Sequence, residues 1–195
     1  MGAAILAGVI RARRHPSEFS YGLGRLVLKL PRPFVDRDRL RLLLDPRPGE
    51  RLLEVGPGTG YYTLDVAGLL KPGGTLHALD VQQRMLDHTL RAARERGIDN
   101  IVAGCGDARS LPYGDDTFDG AYMVAVLGEV PDQEAVLQEL HRVLKPGGRL
   151  VIGESLPDPH MVPPDALRRR AEGAGLRFER QLGGRGAYLA RFTAR

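Results

Sequence analysis

Glycine stands at every second position in Leu53-Glu54-Val55-Gly56-Pro57-Gly58-Thr59-Gly60, directly after a short apolar run. Such a loop lets the backbone turn tightly, and lets a ligand lie against Gly56, Gly58 and Gly60 with no side chain in the way. Glu54, just before the first glycine, suits a cationic ligand better than a pyrophosphate. The spacing G-x-G-x-G lacks the extra residue of the dinucleotide fingerprint, which disfavours a nicotinamide oxidoreductase. No Gly-Lys-Ser/Thr of a phosphate-gripping loop is present. Asp80 closes the run Leu76-His77-Ala78-Leu79-Asp80, where a carboxylate can accept both hydroxyls of a ribose. Asp107 lies in Gly104-Cys105-Gly106-Asp107-Ala108, where it can accept the exocyclic amine of an adenine, and its small neighbours leave room for a flat ring. Each feature alone has a plainer reading: a tight strand-to-helix turn, a helix-start acid at Asp80, a turn-shaping aspartate at Asp107. Together they outline one pocket for an adenosine with a cationic tail.

The elements that must bring these residues together alternate. Apolar runs predict strands over 51–55, 75–80, 101–105, 118–126 and 149–153. Helical patterns over 61–70, 82–96, 133–144 and 164–174 lie between or after them. Two closing strands, 176–182 and 187–192, have no helix between them and form an antiparallel hairpin through Gly183-Gly184-Arg185-Gly186. Lys-Pro-Gly-Gly occurs at 71–74 and again at 145–148, each time as a helix stop. Alternation of this kind predicts an α/β fold: a Rossmann-like, mostly parallel sheet with helices on both faces. In such a sheet the three acids all stand at the carboxyl ends of strands, where ligands bind.

Composition allows this and excludes other classes. The chain has 195 residues, 43% hydrophobic and 27% charged, enough for one domain with its own core. A single cysteine excludes a disulfide framework and any multi-cysteine zinc site, and no histidine has metal-ligand spacing, so no metal is expected. The apolar runs fall short of a spanning helix. Residues 1–50 carry a net charge of +5, residues 51–150 a net −4, and residues 151–195 a net +3. Met1 to Ile10 are apolar and Arg11, Arg13 and Arg14 follow, the reverse of a signal peptide's order. The expectation is a cytoplasmic protein.

The sequence resembles the class I S-adenosylmethionine-dependent methyltransferases, in particular the ubiquinone/menaquinone-biosynthesis-like small-molecule group, from about Pro46 to the C-terminus. The resemblance rests on the glycine loop, Leu79-Asp80, Gly106-Asp107-Ala108-Arg109-Ser110-Leu111-Pro112, Asp116-Thr117-Phe118-Asp119 and Glu139-Leu140-His141-Arg142-Val143-Leu144-Lys145-Pro146-Gly147-Gly148. It implies a seven-stranded sheet with the last strand antiparallel, and S-adenosyl-L-methionine as cofactor. By resemblance, Glu54 orders the loop near the methionine amine and the three glycines let the cofactor lie on the backbone. Asp80 takes the ribose hydroxyls, with Val81 and Met85 beside the adenine. Asp107 and Ala108 hold the adenine edge, and Val124 lies near the methionine moiety.

The acceptor side departs from the family pattern. Relatives often carry a histidine pair before Leu-Pro-Asp; here Gly128 and Glu129 precede Val130-Pro131-Asp132. Glu129 is a candidate base, weighed against an exposed helix-start acid. His160, after the fifth strand, is a second candidate at the pocket mouth. No Asn/Asp-Pro-Pro-aromatic run is present, so a small-molecule methyl acceptor is expected and nucleic acid is not. Residues 1–45 form an N-terminal helical or lid segment ahead of a 46–195 cofactor-binding domain, and residues 1–30 offer a peripheral membrane contact. Against the enzyme stands a non-catalytic S-adenosylmethionine- or S-adenosylhomocysteine-binding protein that holds a partner through its basic ends. Neither the acceptor nor an oligomeric state is written in the sequence.

Overall fold

The computed structural model describes residues 35–156 and 158–195, and the expectations for residues 1–30 lie outside the described residues. Five helices and seven strands follow one another there: α1 (Arg37–Leu44), β1 (Arg51–Val55), α2 (Thr63–Leu69), β2 (Thr75–Asp80), α3 (Gln83–Glu95), β3 (Ile101–Cys105), β4 (Phe118–Val124), α4 (Gln133–Val143), β5 (Leu144–Ser155), α5 (Pro164–Gly173), β6 (Leu176–Gly184) and β7 (Ala187–Ala194), with a 3-10 turn at Leu127–Glu129. The strands form one sheet in the order β3-β2-β1-β4-β5-β7-β6. All neighbouring pairs are parallel except those of β7, which runs antiparallel to both β5 and β6. The expected Rossmann-like sheet with an antiparallel last strand is therefore the observed one. The direction of winding reverses between β1 and β4, and the crevice at a reversal of this kind is where open α/β sheets take ligands.

Central strands buried on both faces read as apolar runs. Leu53, Val55, Met123, Leu150 and Ile152 face one side, against Val136, Leu137 and Leu140 of α4 and Leu167 of α5. Leu52, Leu76, Tyr122, Val124 and Val151 face the other, against Leu40 and Leu43 of α1 and Val66 and Ala67 of α2. Helix α4 follows the 3.6-residue period and starts on Asp132, whose side chain accepts the Ala135 N–H at 3.0 Å.

Two local differences have plain causes. The strand expected over 118–126 stops at Val124 because Ala125 takes a left-handed φ of 55° and turns the chain into the 3-10 turn. The second Lys-Pro-Gly-Gly does follow a helix end, but it lies inside β5: Phe118 pairs with Leu144, and pairing then resumes at Gly120 with Arg149, so the motif is a bulge between the two. Helix α1 packs on the sheet and is tied down by Arg149. The guanidinium donates to the carbonyls of Leu44 and Asp45 and pairs with Glu50.

Candidate functional site

On the β1–β3 side, backbone bonds lace the strand ends together. Gly56 N–H donates to Leu79 O at 2.8 Å, and Gly106 N–H donates to Asp80 O at 3.0 Å. The loop after β1, the end of β2 and the loop after β3 are thus one continuous surface, which carries Glu54, Asp80 and Asp107. Gly56 needs its glycine twice over: its φ is 71°, and a Cβ there would stand 2.4 Å from a methyl of Val126. Gly58, at φ 55°, has nothing within 4 Å of the place a Cβ would take, so its open side is free for a ligand. The Thr89 hydroxyl of α3 donates to Gly58 O at 3.1 Å and fixes the loop from behind.

Beneath this loop Glu54 is only 2% exposed. Burial pushes its carboxyl up to about 7, while the neighbouring hydroxyls of Thr63 and Tyr122 act in the opposite direction. Its Oε2 has no hydrogen-bond partner among the described residues. Asp80, half-buried, accepts the Gln82 N–H on Oδ1 at 2.9 Å, which turns the chain ahead of α3; the helix has Gln82 at its N-cap and no side-chain cap. Asp107 shapes its own turn. It accepts the Arg109 N–H at 2.9 Å and pairs with the Arg109 guanidinium at 2.6 Å, which holds its carboxyl below the usual range. The turn-shaping reading of Asp107 is therefore realised, and both carboxylates still stand at strand ends beside the glycine loop. Met85, Ala108 and Val124 are buried walls, and Val81 is exposed. His77 is structural: it lies edge-on to Tyr113 and Phe118, with Arg51 against its Nε2 at 3.0 Å.

The β4–β5 side is built from loop against loop. A Cβ at Gly128 would lie 2.1 Å from the His160 carbonyl oxygen, so the turn carrying Glu129 and the loop carrying His160 touch backbone to backbone. The structure thus brings the two sequence candidates, Glu129 and His160, into adjoining loops. His160 N–H donates to Asp158 Oδ1 at 2.8 Å. Under both loops lies a residue the sequence reading missed, Glu154, at the end of β5 and fully buried. Its Oε2 accepts the Val162 N–H at 3.4 Å, and its Oε1 has no partner among the described residues. Burial first, then the charges of Asp158 and Glu129, push it up to about 8. Tyr188, its register partner on β7, donates to Val162 O at 2.6 Å and is itself pushed up by burial and by Glu154. The available signal was an acid ending an otherwise apolar strand.

A family profile described as "Methyltransferase domain" matches residues 53–152, just over half of the chain. The chain belongs to this family. It is a methyltransferase domain on a Rossmann-like sheet. The demethylmenaquinone methyltransferase of Corynebacterium glutamicum (strain R) is 36% identical over 135 residues, 69% of this chain and 54% of that protein. That of Anoxybacillus flavithermus is 36% identical over 112 residues, 57% of this chain and 47% of that protein. The methyltransferase domain thus spans about half the length of the curated relatives it matches. Among solved structures, a SAM-dependent methyltransferase from Aquifex aeolicus superposes with a TM-score of 0.75 at 22% identity, covering 91% of this chain and 100% of that one, and shares the fold. The cyclase SpnF superposes with a TM-score of 0.68 at 30% identity, covering 74% of this chain and 57% of that one. Among the described residues of this methyltransferase domain no helix is long and apolar enough to cross a membrane, and no group of three or more His, Cys, Asp or Glu side chains could hold a metal ion.

Proposed function

We propose that this protein transfers a methyl group from S-adenosyl-L-methionine to a quinone-like small molecule. The observation that carries the donor half is the buried, unpartnered Glu54 oxygen under an open glycine loop, with two carboxylates on the adjoining strand ends. That set fits the cofactor's chemistry: a cationic amino acid, a ribose diol and an aromatic amine. In this reading Glu54 holds the glycine loop and sets a negative field near the amine. Gly56, Gly58 and Gly60 carry the methionine on backbone, and Asp80 accepts the ribose hydroxyls. Val81 and Met85 flank the adenine, Asp107 and Ala108 meet its edge, and Val124 walls the methionine end.

When bound, the cofactor supplies a methyl group activated on a sulfonium. The chain's own part is proximity and alignment of the acceptor atom. An acceptor that must shed a proton needs a base, and Glu129 and His160 are the groups in reach of the acceptor side. The demethylmenaquinone methyltransferases among the relatives support an aromatic, quinone-like acceptor. Such acceptors are lipid-soluble, which gives the apolar-then-basic residues 1–30 a use as a peripheral membrane contact.

Calorimetry with S-adenosylhomocysteine, followed by labelled methyl transfer to short-chain demethylmenaquinol, phenols, lipids and amines, tests this. Binding with transfer to the quinol supports the reading. Binding with no transfer to any of them favours the non-catalytic binding protein, and no binding ends both. Co-sedimentation with anionic vesicles at low salt, reversed as salt rises, tests the membrane contact.

A further inference from the structure

We propose that Glu154 is a positioning residue for the acceptor side, a buried carboxyl that clasps the loop after β5 at Val162 and so keeps His160 seated against the turn that carries Glu129. The clasp rests on the methyltransferase reading for its catalytic consequence, but its geometry stands apart from it. Glu154 Oε2 accepts the Val162 N–H at 3.4 Å, two residues beyond His160. The two loops are in backbone contact, since the space beside Gly128 is filled by the His160 carbonyl. Tyr188 supports the same loop from β7 through Val162 O at 2.6 Å. Removing the carboxyl leaves the buried Val162 amide with no acceptor, which favours release of the loop toward water.

Glu154 is uncharged at neutral pH because burial and its neighbours disfavour the anion. The titratable groups around it are Asp158 and His160 on the loop after β5, Glu129 on the turn after β4, and Tyr188 on β7. Losing its proton would place a further negative charge beside Asp158 and Glu129, away from water. One amide donor, at 3.4 Å, does not offset a buried anion beside two acids. The clasp therefore loosens as pH rises through about 8. Glu154→Gln keeps the shape and a carbonyl acceptor and cannot ionise. Glu154→Ala removes the acceptor.

Amide hydrogen exchange on the full chain with S-adenosylhomocysteine reads the clasp without any acceptor. After correction for base catalysis, the wild-type Val162 amide should be protected at pH 7 and lose about tenfold by pH 9. Glu154→Gln should keep protection at both pH values, and Glu154→Ala should lose it at pH 7, with core amides of β1 and β4 unchanged. In turnover with short-chain demethylmenaquinol, Glu154→Ala should raise KM for the quinol while S-adenosylhomocysteine affinity stays within about threefold. Equal protection in wild type and Glu154→Ala, or failure of Glu154→Gln to restore what Glu154→Ala loses, would overturn the clasp. Absence of quinol turnover in all three proteins, with the exchange pattern intact, would overturn the acceptor assignment and leave the clasp standing.

Discussion

The cofactor half and the acceptor half of this site each rest on one buried carboxyl at the end of a central strand, Glu54 on β1 and Glu154 on β5. Burial pushes both up, to about 7 and about 8. Their surroundings differ. Glu54 has two hydroxyls that favour its charge, and it sits under strand ends joined by backbone hydrogen bonds. Glu154 has two acids that oppose its charge, and it sits under loops joined by a carbonyl pressed against a glycine. A cation is the natural complement of the first carboxyl. The second already complements an amide of its own chain. On the proposed reading, the cofactor half is a receptor whose strand ends are already joined, whereas the acceptor half is held by contacts that a few substitutions in two loops can rearrange.

The largest effect should come from a place where the two loop regions touch. Gly56→Ala adds a Cβ 2.4 Å from Val126, which leads into the acceptor-side turn, at a φ of 71°. The left-handed conformation costs roughly 1–2 kcal/mol, and overpacking typically costs about 1–3 kcal/mol more. Thermal unfolding should show a clear drop in Tm, with loss of both cofactor affinity and turnover. A variant of wild-type stability that binds S-adenosylhomocysteine normally would mean that Val126 simply swings aside and the halves are independent.

Asp80→Ala should strike the cofactor half alone. Hydrogen bonds to a charged acceptor are worth about 1.5–3 kcal/mol, so affinity for S-adenosylhomocysteine should fall about ten- to a hundredfold. Because Asp80 also accepts the Gln82 N–H ahead of α3, a small loss of stability, up to about 1 kcal/mol, accompanies it. Amide protection at Val162 should not change. Unchanged affinity would leave Asp80 as a turn-shaping acid only.

Next comes a pH effect from Glu54. A cationic amine above it favours the ionised form, so binding draws a proton off Glu54 when the pH is below about 7. Affinity should therefore weaken as pH falls, by up to about tenfold between pH 8 and pH 6. Glu54→Gln should bind more weakly at pH 8 and show a flat profile. A wild-type profile that is flat over this range would separate Glu54 from the amine.

Legibility in the sequence follows the same division. Glycines, an acid before them and acids at two later strand ends are local signals, and β2 and β3 have the expected bounds. Helix α1 was folded into a general N-terminal segment because what fixes it is remote: Arg149 reaches Asp45 O across 104 positions of chain. Ala125 adopts a left-handed φ without being glycine, so nothing local marked the end of β4. Glu154 reads as one more strand-end acid until β7 and two loops close over it. Gly128 looked like the loss of a side chain from the family pattern. In the structure it is the space that admits the His160 carbonyl.

The smallest effect tests how firmly Asp107 belongs to the cofactor half. Its carboxylate is held by Arg109, through the backbone N–H at 2.9 Å and the guanidinium at 2.6 Å, and both side chains are well exposed, at 43% and 45%. A solvent-screened pair of this kind contributes little to stability, so Arg109→Ala should leave Tm essentially unchanged. It would nevertheless free lone pairs on Asp107 that the guanidinium now occupies. A carboxylate that accepts an adenine amine then binds no worse, or slightly better, and S-adenosylhomocysteine affinity should move by less than about fivefold. Asp107→Ala should weaken it by more, because the backbone N–H at Arg109 and the adenine both lose their acceptor. If Arg109→Ala weakens binding as much as Asp107→Ala does, the ion pair as a unit shapes the pocket, and Asp107 acts through its turn rather than through the ring. Titration of both variants beside wild type, at one pH and one salt concentration, separates the two.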